Sequence, residues 1–208
     1  MLKRLIVLST LAIGAVSVAY ADPITGFFSL GGSDTFNSST ITFTPGSSTI
    51  TTGSSIGGTF ASFLADGDAV TFLSGPLTYS LGENPAPAGL APIFTTTGDG
   101  ETFSFDLLSY DAILMTGAPG CTDDATCLLI TGAGNFLGTG TTDFTPTPAT
   151  FTFTSQFTSG EPVGSGTTSF SASTSAAAIS AVPEPASLVL FGTGLLGIVA
   201  LARRKFAA

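Results

Sequence analysis

Cys121 and Cys127 close the stretch CTDDATC, and they are the chain's 2 cysteines. Three chemistries use such a pair. Thiol–disulfide exchange favours C-x-x-C, and the spacing here is wider. A structural zinc site needs four ligands, and there is no His or further Cys to complete a tetrahedron. In an exported chain the remaining chemistry, a disulfide clipping a surface loop, is the expected one. Its loop is short, so its entropic stabilisation sits at the low end of roughly 2–4 kcal/mol. Asp123 and Asp124 lie inside that loop, and Asp66 and Asp68 form Asp-Gly-Asp. Calcium takes paired oxygens of this kind, but neither pair belongs to a complete EF-hand loop. Asp and Gly also serve simply as turn residues. The four aspartates therefore stand as weak calcium candidates, and no resident metal or cofactor is expected.

Catalysis is hard to assemble. With His 0 in the composition, the commonest general base is missing and a Ser-His-Asp triad cannot be built. A carboxylate pair of the glycosidase kind remains formally open, with Glu83, Glu101, Glu161 or an Asp as members. The usual sugar-gripping aromatics are sparse: Trp is absent and the body holds only Tyr79 and Tyr110. The chain is not expected to be an enzyme. Gly192, Gly194 and Gly197 spell G-x-G-x-x-G, but no ribose-binding acid follows them, so a nucleotide loop is not expected.

Charge is distributed unevenly. The five cations are Lys3, Arg4, Arg203, Arg204 and Lys205, whereas all 14 acids lie from Asp22 to Glu184. The body between the ends has no cation. It cannot clamp a phosphate, and nucleic acid is excluded as a partner by repulsion.

The two ends read as processing segments. Lys3 and Arg4 precede an apolar run from Leu5 to Val18, followed by Ala19-Tyr20-Ala21. This is the layout of a secretory signal peptide over residues 1–21, with Ala19 and Ala21 as the signal peptidase recognition pair. Residues 186–202 carry no charge and are long enough to cross a bilayer at the short end of the range, as a transmembrane helix. Arg203, Arg204 and Lys205 follow at once and fix its direction by the positive-inside rule. Before the run stands Pro183-Glu184-Pro185. Two prolines keep that triplet extended and out of the helix, as a protease substrate needs to be.

Pro183-Glu184-Pro185, Ala186-Ser187, the apolar stretch with its glycines and Arg203-Arg204-Lys205, in this order, resemble the PEP-CTERM sorting signal, also known as the ice-binding protein C-terminal domain. The resemblance is confined to residues 182–205. It implies an exosortase of a Gram-negative bacterium as processing partner. It also implies transient anchoring in the inner membrane, release at the triplet, and delivery to the outer surface or an exopolysaccharide and biofilm matrix. For the body, which the resemblance does not reach, a non-catalytic structural or adhesion role is expected from its lack of catalytic residues; the alternative is a secreted carbohydrate-binding or glycan-hydrolysing β-domain. A flat ice-facing array is not expected, because Thr150, Thr152 and Thr154 do not recur at a fixed repeat.

The body itself reads as all-β. ETFSFDL places Phe103, Phe105 and Leu107 on one face and Thr102, Ser104 and Asp106 on the other. TFTFTSQF does the same with Phe151, Phe153 and Phe157, and STITFT with Ile41 and Phe43. Alternation with period two marks half-buried strands. Pro45-Gly46, Gly57-Gly58, Asp66-Gly67, Gly98-Asp99-Gly100, Pro119-Gly120 and Pro146-Thr147-Pro148 supply turns. An antiparallel β-sandwich or jelly roll is predicted over residues 22–158. Residues 159–181, rich in Ser, Thr, Gly and Ala, are predicted to be a flexible tether. Residues 182–208 form the sorting segment.

Overall fold

The computed structural model describes residues 21–51, 56–82, 86–116, 126–157, 164 and 166–177. The chain divides into two compact units, Met1–Ala178 and Ile179–Ala208, and the described residues all fall in the first. The predicted signal-peptide helix (residues 1–21, save Ala21) and transmembrane helix (residues 186–202) lie outside them. Among the described residues no helix is long and apolar enough to cross a membrane.

The strands follow in chain order: β1 (Asp22–Pro23), β2 (Gly26–Phe36), β3 (Thr40–Phe43), β4 (Thr49–Ile50), β5 (Gly57–Gly58), β6 (Val70–Phe72), β7 (Leu77–Thr78), β8 (Ala86–Gly98), β9 (Glu101–Thr116), β10 (Thr126–Gly140), β11 (Phe144–Thr145), β12 (Thr147–Gln156) and β13 (Thr168–Ala176). One 3₁₀ turn, Thr59–Ser62, follows β5. All-β antiparallel architecture is thus as predicted. Where a sandwich has two sheets, however, β2 to β10, β12 and β13 belong to one sheet that curls, with hydrogen-bonded order β6-β8-β9-β10-β12-β13-β2-β3-β7.

The curl closes. β4 pairs with β2 on one side. On its other side Ile50 N–H donates to Asp68 O (2.9 Å), Gly67 N–H to Ile50 O (3.0 Å) and Val70 N–H to Ser48 O (2.9 Å). β7 in turn pairs with β3. β3 and β4 therefore act as one stave, interrupted by residues 44–48. β6 and β7 act as the next, interrupted by residues 73–76. Going round, β2, β3/β4, β6/β7, β8, β9, β10, β12 and β13 form a ring of eight staves, and β13 returns to β2. Successive staves are neighbours in the chain, so each needs only a local connection. A ring of about eight strands leaves an interior that side chains just fill.

Phenylalanine fills it. Phe28, Phe36, Phe60, Phe94, Phe103, Phe105, Phe136 and Phe153 are each less than 2 % exposed. Their rings meet edge-on or tilted, as in Phe28–Phe60 (4.9 Å between centroids), Phe60–Phe136 (4.9 Å) and Phe105–Phe136 (5.0 Å). Such geometry sets the positive edge of one ring against the negative face of another.

β9 shows how the alternation survives an irregularity. Phe103, Phe105 and Leu107 are buried, then Tyr110 and Ala112. The phase changes at Leu108, which is 53 % exposed. A register shift between Ala133 and Gly134 absorbs the extra residue. Gly134 is required there, since a Cβ would stand 2.0 Å from Asp106 O. The β8–β9 turn is Asp99-Gly100, with φ of 44° and 79°. Two positive φ values and a two-residue loop are the preferred hairpin solution.

The predicted tether is corrected by β13. Thr168–Ala176 is a stave of the ring, with β12 on one side and β2 on the other. Thr168, Phe170, Ala172, Thr174 and Ala176 are buried, and Ser169, Ser171, Ser173 and Ser175 are exposed. The domain predicted to end at residue 158 therefore runs to about Ala177, whose N–H donates to Pro148 O at 3.2 Å. Thr150, Thr152 and Thr154 of β12 point outward beside the β13 serines. On these two staves the outward positions carry hydroxyls, the opposite of a lipid-facing apolar band.

Candidate functional site

Of the two polar side chains most deeply set in the barrel, Asp34 and Glu101, the sequence named Glu101 as a formal carboxylate candidate and did not single out Asp34. Asp34 is 0 % exposed. It sits on β2 opposite Thr168 of β13. Ser155 Oγ donates to Asp34 Oδ1 at 2.7 Å, and Thr168 Oγ1 donates to the same oxygen at 2.8 Å. Thr168 Oγ1 also lies 3.0 Å from Asp34 O, and the two hydroxyls are 2.9 Å apart. Asp34 Oδ2 has no hydrogen-bond partner among the described residues. Three adjoining staves thus contribute one polar knot to an aromatic interior.

Burial dominates the electrostatics of this knot. Removal from water raises the Asp34 carboxyl from 3.8 to about 6, against the smaller downward pull of the Ser155 and Thr168 hydroxyls. Tyr79 is pushed up to about 12, first by burial and then by the Asp34 charge. The Tyr79 hydroxyl donates to the carbonyl of Asn37, just past the end of β2. Tyr110 Oη accepts the N–H of Ser80 at 3.0 Å. The two body tyrosines thus tie strand ends together at one end of the barrel. They line an apolar cleft there with Ile41, Phe43, Leu107 and Phe153. Its volume is about 30 Å³. At roughly 10–15 Å³ per water, that admits two or so waters and no organic ligand.

Glu101 is the second buried carboxyl, also 0 % exposed. Its Oε2 accepts the N–H of Thr142 at 3.1 Å and the hydroxyl of Thr141 at 3.3 Å, and its Oε1 has no partner among the described residues. It braces the chain leaving β10. Glu101 stands at the β8–β9 turn, whereas Asp34 stands near the β2–β3 turn at the other end. The two buried carboxyls therefore do not form a pair across one substrate, and neither reaches solvent. Glu83 and Glu161 lie outside the described residues.

Asp66 is exposed, Gly67 takes a φ of 86°, and Asp68 Oδ2 accepts the N–H of Ala65 at 2.8 Å. This carboxylate closes its own turn. Among the described residues no group of three or more His, Cys, Asp or Glu is placed to hold a metal. Cys127 is buried on β10, with Gln156 Oε1 3.9 Å from its sulfur. No described cysteine is free. Cys121, Asp123 and Asp124 lie outside the described residues. So do Ala19, Pro183, Glu184, Pro185, Arg203, Arg204 and Lys205. Ala21 is described, one residue before β1, which pairs in parallel with β11.

Residues 181–205 match the PEP-CTERM protein-sorting motif. The chain carries this sorting signal. The match covers the segment that the resemblance named in the sequence and leaves the barrel outside it. A PEP-CTERM signal marks an exported protein handled by an exosortase, with the cell surface or the extracellular space as its destination. No curated protein and no solved structure matches the chain.

A signal for Asp34 existed in the sequence, but weakly. Asp34 stands where an apolar residue would continue the inward row of Phe28, Leu30 and Phe36. A charge out of phase in an alternating strand is the trace of a buried carboxyl. Gly31 and Gly32 mask that phase.

Proposed function

We propose that this protein is a non-catalytic structural or adhesion component of a Gram-negative cell surface or exopolysaccharide matrix. It is cut by signal peptidase after Ala21 and held for a time in the inner membrane by residues 186–202. Exosortase then releases it at Pro183-Glu184-Pro185. The match of residues 181–205 to the sorting motif carries this reading. A packed aromatic interior and a wall of neutral hydroxyls suit a durable module that stays hydrated in a polysaccharide gel. The Cys121–Cys127 disulfide would clip the loop between β9 and β10 after export; the absence of a free thiol at Cys127 supports it. The other reading is a secreted carbohydrate-binding or glycan-hydrolysing domain, supported by the same hydroxyl surface.

Intact mass of the protein isolated from its cells tests the route. The expected product lacks residues 1–21 and the run after the triplet, is two mass units lighter than its reduced form, and stays membrane-bound when the exosortase is deleted. Retention of Ala186–Ala208 in the exported protein would sink the sorting claim. Turnover of polysaccharide by the purified protein would favour the alternative.

A further inference from the structure

The ring of staves has an opening in its wall, and we infer that this opening is a binding site for one uncharged pyranose unit. It lies where the two interruptions face each other, residues 44–48 of one stave and residues 73–76 of the next. Above it, Val70 N–H bonds to Ser48 O; below it, Ile41 is paired with Leu77. Between these closures β3 and β6 are not paired.

The register says which main-chain groups face the gap. Thr44 N–H bonds to Ser33 O and Asn37 N–H to Thr40 O, so the even residues of β3 face β2. Phe43 therefore turns its N–H and C=O toward the opening. Leu73 N–H bonds to Ile93 O, so on β6 it is Phe72 that faces the opening from the other side. Neither residue has a main-chain partner there among the described residues. Phe43 is 8 % exposed, so these main-chain groups take their partner from the opening itself, as water or as a ligand that displaces it.

The chemistry of the opening narrows the ligand. Its volume is about 240 Å³. That is below the roughly 300–1,000 Å³ of pockets for drug-sized ligands, so it suits a single ring. The Phe43 and Phe72 rings, stacked face to face on each other at 3.8 Å, line its inner side together with Leu73 and make that side apolar. Such an apolar side takes the C–H groups of a sugar by excluding water from both. Thr42, Thr44, Thr71 and Ser74 bring exposed hydroxyls to the rim. No charged side chain lines the opening, and the whole body lacks a cation. An anionic ligand finds no counter-charge. A peptide adding as a strand would need a longer free edge, since strands commonly run about 5–6 residues. This inference does not depend on the sorting route.

An amide-resolved NMR titration of the full chain in detergent micelles tests it. Probes are methyl glucopyranoside, N-acetylglucosamine, glucuronate and a blocked trialanine. The neutral sugars are expected to shift amides of residues 42–46 and 70–75, with Kd of about 1 mM or weaker, as suits a ligand of this size. Glucuronate is expected to bind at least about tenfold more weakly. The double variant T71V/S74A, at two exposed positions, is expected to keep its dispersed spectrum and lose at least about fivefold in affinity. The inference is overturned if about 100 mM neutral sugar shifts nothing, if the shifts fall elsewhere on the barrel, or if the variant binds unchanged. Binding of glucuronate as tight as that of the neutral sugars, or of trialanine in their place, would overturn it too.

Discussion

β12 and β13 lie side by side in one barrel and alternate in the same way, yet only one of them announces itself. In β12, Phe151 and Phe153 point inward and Thr150, Thr152 and Thr154 outward, a contrast of large apolar against polar. In β13 the inward set is Thr168, Phe170, Ala172, Thr174 and Ala176, against four outward serines. Four of its five inward residues are as small as the outward ones, so hydropathy barely alternates. The reason lies across the barrel wall. Phe153 stands opposite Ala172, and the Phe153 and Phe170 rings are 5.1 Å apart. Where one stave fills the interior, its neighbour must be small. A stave of small residues can thus be a sign of tight packing as well as of a tether.

Removal of residues 168–177 tests this contrast hardest. If β13 closes the ring, its loss leaves β2 and β12 without their shared partner, and cooperative urea unfolding disappears. A tether could be lost with no change in the unfolding midpoint.

Phe153→Ala comes next. Truncating a fully buried Phe commonly costs about 3–5 kcal/mol, which equilibrium denaturation reads directly. Ala172→Leu probes the same contact from the other side. Adding methylenes opposite Phe153 is expected to cost about 1–3 kcal/mol. A cost near zero would mean that β13 does not press on the aromatic core.

Asp34 joins the two staves through Ser155 and Thr168, and its titration gives a pH signature. Its carboxyl is held at about 6 in the fold against 3.8 outside it. A raised folded value favours the protonated form, so this contribution is full below 3.8, is lost as pH rises through about 6, and is flat above. One unit is worth about 1.36 kcal/mol, so the barrel is expected to lose up to about 3 kcal/mol between pH 4 and pH 8 through this group. Asp34→Asn keeps an acceptor for both hydroxyls and should flatten that slope. Equal slopes for the two proteins would show that the knot carries no proton.

Ser173→Val is the mildest test. An exposed position on β13 should shift stability by no more than about 0.5 kcal/mol, and a loss of several kcal/mol would place Ser173 inside rather than on the wall.

The sequence by itself determined the class of the body and the delivery route. Phe-and-Thr alternation in β9 and β12 specifies half-buried strands, because period two is a property of the extended chain alone. Asp99-Gly100 specifies a tight hairpin for an equally local reason. Pro183-Glu184-Pro185 and the run behind it belong to a linear sorting signal, read by an exosortase along the chain. Only the tertiary structure decided that the sheet closes, that Thr168–Ala176 is a stave, and that Asp34 meets Ser155 and Thr168. Each of these depends on what lies across the barrel. Closure joins Ile50 to Asp68 and β13 to β2, pairings between segments whose own residues show no mutual preference. The small residues of β13 and the lone Asp34 acquire their meaning from the volume that their neighbours' aromatic rings leave free.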